Sequence, residues 1–336
     1  MVNMDNNIKK NCRLLIDNRT VIKKAARWDM SLNQWLAALL CTMEGVKVKQ
    51  EKLISAKSLV KENVGITSRF RGTFSLPVAA LLAVSPYGSS LLKKAMTLED
   101  ALRSEGFKRS NYTVLPSILL MKNGSAGNTA GLARSSREFY DVMKRGHKLS
   151  VGQKDYGIAM MLAASGLKPE ETSTEAQRCF DYLSSSPFKK RSLVALCYIL
   201  AMGEKRAEIK CQKALDIYEA LKLRGLKFGT GYEAPTLGVV SLYPDEAGKI
   251  AADIGDIAEY LLAQRGFGIF GVSKAQTLMF AGALLALSQN YDANDKSVPM
   301  AVTAGSTALI MAVEAAIAAS IGASAAAASA ASSNSN

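Results

Sequence analysis

The stretch Tyr218-Glu-Ala-Leu-Lys-Leu-Arg-Gly-Leu-Lys227 decides the reading of this chain. A helical run reaches Leu221, a glycine stops it at 225, an apolar residue follows and a lysine comes next. Glycine suits that place because a left-handed backbone residue ends a helix without a side-chain clash. The same turn recurs at Gly65-Ile66, Gly106-Phe107, Gly146-His147, Pro187-Phe188 and Gly266-Phe267, with successive spacings of 41, 40, 41, 38 and 41 residues. A degenerate copy precedes them at Arg27-Trp28, ahead of the apolar run Trp35 to Met43.

The register holds away from the turn. Four residues before it stand Leu102, Val142, Leu183, Leu221 and Leu262, with Lys61 as the exception. Twelve residues after it stand Ile118, Ile158, Ile199, Leu237 and Leu278, with Pro77 in the first unit. Both flanks have helical period: Leu91, Ala95, Leu98 and Leu102 share one face, as do Ile250, Ile254, Ile257 and Leu261. Pro77, Pro116 and Pro235 are expected in the first turns of the second helices, where a missing amide costs least. No stretch alternates with period two, so essentially no sheet is expected.

Helix pairs this short cannot bury their apolar faces alone, and stacking completes the core. The expected fold is all-α, an α-solenoid of about seven helix-turn-helix units with a period near 40 residues, spanning 1–296. From Ser297 onward only Glu314 is charged, and alanine and serine dominate. Ile310, Val313, Ile317 and Ile321 form a stripe at helical spacing, so residues 297–322 are read as an Ala-rich helix capping the last unit. Residues 323–336 are read as a low-complexity, disordered tail. Asn123 to Gly131 reads as a flexible loop between the units that turn at Gly106 and Gly146.

The chain has 336 residues, 49% hydrophobic and 21% charged, which fits a folded protein and not a disordered one. Its net charge is +13, and the first 150 residues carry 25 basic and 11 acidic side chains. Five cysteines without metal-ligand spacing read as reduced packing residues, and the polar start has no signal-peptide run, so a cytoplasmic setting is expected.

Chemistry is sparse. The single His147 occupies a slot held elsewhere by Ile66, Phe107, Phe188, Leu226 and Phe267, which makes it a packing position rather than a base or ligand. Gly266-Phe-Gly-Ile-Phe-Gly271 matches a dinucleotide fingerprint by letter, but it follows a helix rather than a strand. No catalytic, cofactor or metal residue is assigned, no cofactor is expected, and the chain is not expected to be an enzyme.

The turns carry the sharper signal. Two residues after the turn position stand Lys108, Lys148, Lys189 and Lys227, with Arg69, Arg71, Arg109, Lys190 and Arg191 close by. In stacked units these positions line one edge, a candidate anion-binding ridge.

These helix-turn segments, with the shorter echoes Ala101-Leu-Arg-Ser-Glu-Gly-Phe-Lys-Arg109 and Phe139-Tyr-Asp-Val-Met-Lys-Arg-Gly146 and the Ala315 to Ser333 end, resemble the domain of unknown function 4003 family. That resemblance covers nearly the whole chain and implies a bacterial cytoplasmic protein, with no site to carry over. The segments are also similar to pentatricopeptide repeats, whose unit is shorter than 40 residues, so a base-by-base RNA code is not expected. The functional expectation is a non-catalytic protein-binding scaffold whose concave helices hold a protein or peptide. The alternative is a nucleic-acid or other polyanion binder using the ridge. A weaker one is peripheral membrane association through the C-terminal segment.

Overall fold

A computed structural model describes residues 4–122 and 128–288 of the chain. Among those residues fourteen α-helices follow one another as seven pairs. They are α1 (Asn6–Ala25) with α2 (Ser31–Met43), α3 (Gln50–Asn63) with α4 (Ser75–Val84), and α5 (Gly88–Ser104) with α6 (Asn111–Lys122). Next come α7 (Thr129–Gly146) with α8 (Tyr156–Ala164), α9 (Pro169–Leu183) with α10 (Lys190–Leu200), and α11 (Ala207–Leu223) with α12 (Ala234–Ser241). The last pair is α13 (Ala247–Leu262) and α14 (Lys274–Ser288), joined through a β segment, β1 (Arg265–Val272).

The two helices of each pair have different sequences for a physical reason. First helices such as α7 and α13 are amphipathic and bury one stripe, for example Ala133, Ser136, Phe139, Tyr140, Val142 and Met143 of α7. Second helices are apolar all round: α4 is Ser-Leu-Pro-Val-Ala-Ala-Leu-Leu-Ala-Val and buries Leu76 through Leu82 without interruption. A helix apolar on every face must be covered on every face. Each helix therefore packs against its pair mate, and each first helix also packs against the first helices on either side, from α1 to α13. The second helices α2, α4, α6 and α8 pack in series, as do α10, α12 and α14.

The order of contacts returns to its start. Helix α1 packs against both α14 and α13, and α2 against β1. At this seam the Trp35 ring lies 4.3 Å from that of Phe267, which in turn meets Phe280 edge-on at 6.3 Å. The flank of the last pair is thus covered by α1. The capping helix expected at 297–322 and the tail at 323–336 lie outside the described residues.

Local chemistry sets the ends of the pairs. Gly106 (φ +85°) follows α5, and the amides of Gly106 and Phe107 donate back to Arg103 and Leu102, both at 3.0 Å. Gly225 (φ +75°) repeats this after α11, donating to Lys222, while Leu226 donates to Leu221, both at 2.9 Å. These are the helix-ending glycines expected from the sequence. Gly146 instead lies within the last turn of α7, and neither it nor Gly65 has positive φ.

Three expectations are corrected in detail. Pro116 is the sixth residue of α6, one turn deeper than the start of the helix. The loop expected over Asn123 to Gly131 ends earlier, because the Asn128 side chain accepts from the Gly131 amide at 2.7 Å and caps α7 from Thr129. The apolar slot after the turn is not uniformly buried: Phe107, Phe188 and Phe267 are, but Ile66 is 86% exposed and Phe70 is the buried aromatic of its turn.

Candidate functional site: a basic set of hairpin turns

Two kinds of link join the helices. Hairpin turns connect the two helices of a pair, and connectors lead from one pair to the next. Side-chain and backbone bonds bring neighbouring turns together. Asn33 at the start of α2 donates to Thr73 in the second turn at 2.7 Å, and the Lys108 amide meets the Tyr156 hydroxyl at 3.5 Å. Phe107 and Tyr156 pack edge-on at 4.7 Å, and the Lys189 amide donates to Thr230 at 2.9 Å, linking the fifth and sixth turns.

The seven hairpin turns hold eleven basic residues against four acidic, and every one of the seven contributes at least one cation. Arg27, Arg69 and Arg71 come from the first two turns, Lys108, Arg109 and Lys148 from the next two, and Lys189, Lys227 and Arg265 from the last three. Among the described residues none of these nine has a carboxylate partner; the remaining two cations, Lys154 and Arg224, are paired with Asp155 and with Asp256 and Glu259. The six connectors hold five basic and four acidic residues, and three of the five cations are paired with carboxylates of α1, α9 and α11. Lys47 pairs with Asp17 at 2.7 Å, Glu44 with Lys122 at 2.5 Å, Lys168 with Glu171 at 2.6 Å and Arg206 with Glu208 at 3.3 Å.

Of the ridge residues expected from sequence, Lys108, Arg109, Lys148, Lys189 and Lys227 are exposed in hairpin turns, and Lys190 is exposed as the first residue of α10. The side chain of Arg191 lies outside the described set. Unpaired, exposed lysines on short loops meet an anion at little desolvation cost, and each neutralised phosphate releases condensed counterions.

Sequence reasoning missed the cations that the fold adds to this set. Between the first and last pairs lies a cleft of about 720 Å³ lined by Arg19, Lys23, Lys24, Arg27, Arg265 and Trp35, among others. A smaller cavity of about 200 Å³ lies between the second turn, α5 and the third turn, lined among others by Arg69, Arg109 and Glu99. Ser117 donates to that carboxylate at 2.9 Å, but burial dominates and pushes the Glu99 carboxyl up to about 7. Neither cleft has a local sequence signal, because the first draws its walls from pairs far apart in the chain and the second from the turn of one pair and the helix and turn of the next.

The remaining candidates are structural in setting. His147 is half-buried with its ring 4.5 Å from Phe180, and burial lowers its pKa against the opposing pull of Asp181. All five cysteines are free and buried, and burial pushes the Cys12 thiol up to about 12. The dinucleotide-like glycines form β1 after α13, and Gly266 (φ +102°) lies against the indole of Trp35. Among the described residues no cluster of three or more His, Cys, Asp or Glu could hold a metal ion. No helix among them is long and apolar enough to cross a membrane.

The chain belongs to the family described as Protein of unknown function (DUF4003), whose model matches residues 18–321. No curated protein and no solved structure matches it.

Proposed function

We propose that this protein is a non-catalytic binding protein, a closed array of seven stacked α-solenoid units that holds a polyanion, nucleic acid first among them, along its hairpin turns. The observation that carries this reading is the contrast between the turns, where nine of eleven cations are unpaired among the described residues, and the connectors, where three of five are paired. Helix C-terminal dipoles account for only a weak preference, roughly 0.3–1 kcal/mol per cation, and do not require a cation at every turn. This reading takes up the alternative expected from sequence, a polyanion binder on the turn ridge, ahead of a protein-binding scaffold on the concave helices. The second helices are buried round their circumference, as in α2 from Trp35 to Thr42, so the turns offer more accessible side chains than the concave helices do.

Fluorescence anisotropy of a labelled single-stranded 20-mer, titrated with protein at several salt concentrations, tests the reading. Affinity should fall steeply with salt, with a log-log slope near −0.7 for each phosphate neutralised. A flat salt response, or no binding at low salt while an acidic polypeptide does bind, rejects nucleic acid as the partner.

A further inference from the structure

The seam between the first and last pairs contains a group whose burial is not explained by the fold. Arg19 of α1 is only 9% exposed, and its Nε has no hydrogen-bond partner. Its guanidinium lies 5.1 Å over the Trp35 ring, and its Nη2 reaches Ser31 Oγ at a long 3.4 Å. Trp35 is 2% exposed, and its Nε1 also lacks a partner. A buried cation with an unmade hydrogen bond is costly, and a fold that only needed packing here would be served by an apolar side chain.

Both groups line the 720 Å³ cleft, and the rest of its wall is basic: Lys23 and Lys24 from the end of α1, Arg27 from the first turn and Arg265 from the last. No carboxylate lines it, and none of the five cations is in an ion pair among the described residues. The volume falls within the range of small-molecule sites, roughly 300–1,000 Å³. A single carboxylate or halide leaves most of this charge uncompensated, whereas adjacent phosphates meet several cations at once and match a guanidinium fork.

We propose that this cleft is a binding site for a small molecule carrying two or more phosphate groups, with Arg19 as the buried anchor. Lys23, Lys24, Arg27 and Arg265 surround the charge, and Trp35 holds the guanidinium in place. The site goes beyond the polyanion reading of the turns and does not depend on it.

Calorimetry on the full chain with inorganic triphosphate, and separately with ATP, reads the site and distinguishes a bare polyphosphate from a nucleotide. Trp35 emission in a W28F chain and the shift in Tm report the same event. Triphosphate or ATP should bind at micromolar concentration, at least about 100-fold more tightly than inorganic phosphate. R19M should weaken binding at least tenfold while leaving the unliganded Tm no lower, since it removes an uncompensated buried charge. Should R19M not fold, the K23A/K24A double variant, altered only at exposed positions, should show a comparable loss. Reversal of Lys108, Lys148, Lys189 and Lys227 to glutamate should leave triphosphate affinity within about threefold. No heat and no Tm shift at millimolar triphosphate, equal affinity for inorganic phosphate, wild-type binding by the altered chains, or loss of binding in the ridge variant would each overturn the site.

Discussion

Hairpin turns, of 5 to 11 residues, and connectors, of 3 to 6, join the same helices, yet they use charge in different ways. Around the connectors, polar side chains of neighbouring helices hold the fold. Lys210, 2% exposed, donates to Gly203 at 2.7 Å across the connector into α11 and pairs with Glu175 at 2.9 Å. Lys213 closes on the Tyr243 carbonyl, and Asn18 ties Val46 and Val48 from α1 at 3.0 and 2.8 Å. In the turns, backbone caps, aromatic contacts and side-chain amides such as Asn33 fix the links, and most of the lysines and arginines have no internal task. The lesson is that residue type alone does not distinguish a structural cation from an available one; its partners do.

The comparison breaks most readily under charge reversal. Changing Lys108, Lys148, Lys189 and Lys227 together to glutamate should lower oligonucleotide affinity by more than about 100-fold, whereas reversing the paired connector cations Lys47, Lys168 and Arg206 should change it less than about threefold. Equal losses per reversed cation from both sets would show that net charge alone matters. Stability should respond in the reverse sense. Lys210→Met, which leaves the Gly203 carbonyl unsatisfied and Glu175 with a weaker set of partners, should cost about 2–4 kcal/mol in urea denaturation with oligonucleotide binding unchanged in the folded protein.

Gly266→Ala tests the seam where the last turn meets the first pair. A β-carbon there stands 3.2 Å from the Trp35 ring at a backbone φ of +102°, so a loss of about 1–3 kcal/mol is expected. Glu99 tests the acid lodged among the turns. Its folded-state pKa of about 7 lies above the ordinary value, so its contribution is fully present below about pH 4.5 and is lost as pH rises through 7. Stability should therefore decline between pH 5 and 8 by about 1–3 kcal/mol, and Glu99→Gln should flatten that decline in pH-dependent denaturation. The smallest effect belongs to Lys148→Gln, which should leave stability within about 0.5 kcal/mol because the side chain is exposed and unpaired.

Much of this organisation was legible in the sequence because it is periodic. The turn glycines at 106 and 225, the apolar positions twelve residues later and the lysines two residues later repeat at a fixed spacing, so each copy supports the others. What was not legible is what depends on contact between distant copies. The meeting of α1 with α13 and α14 is a property of accumulated rotation from pair to pair, and no single unit records it. Arg19 and Trp35 sit in the degenerate first unit, where the repeat gives the weakest guide, and Glu99 sits on the inward side of α5 without any motif around it. The exposed Ile66 shows the limit of reasoning by slot, since Phe70 takes over its packing role four residues later.

Site-specific photo-crosslinking tests the central claim most directly. A photoreactive residue placed singly at Lys108, Lys148, Lys189 and Lys227, and in parallel at the paired connector positions Lys47 and Lys168, is irradiated with a labelled oligonucleotide. Adducts confined to the four turn positions, and lost at high salt, are the predicted result. Equal crosslinking from the connectors would contradict the account.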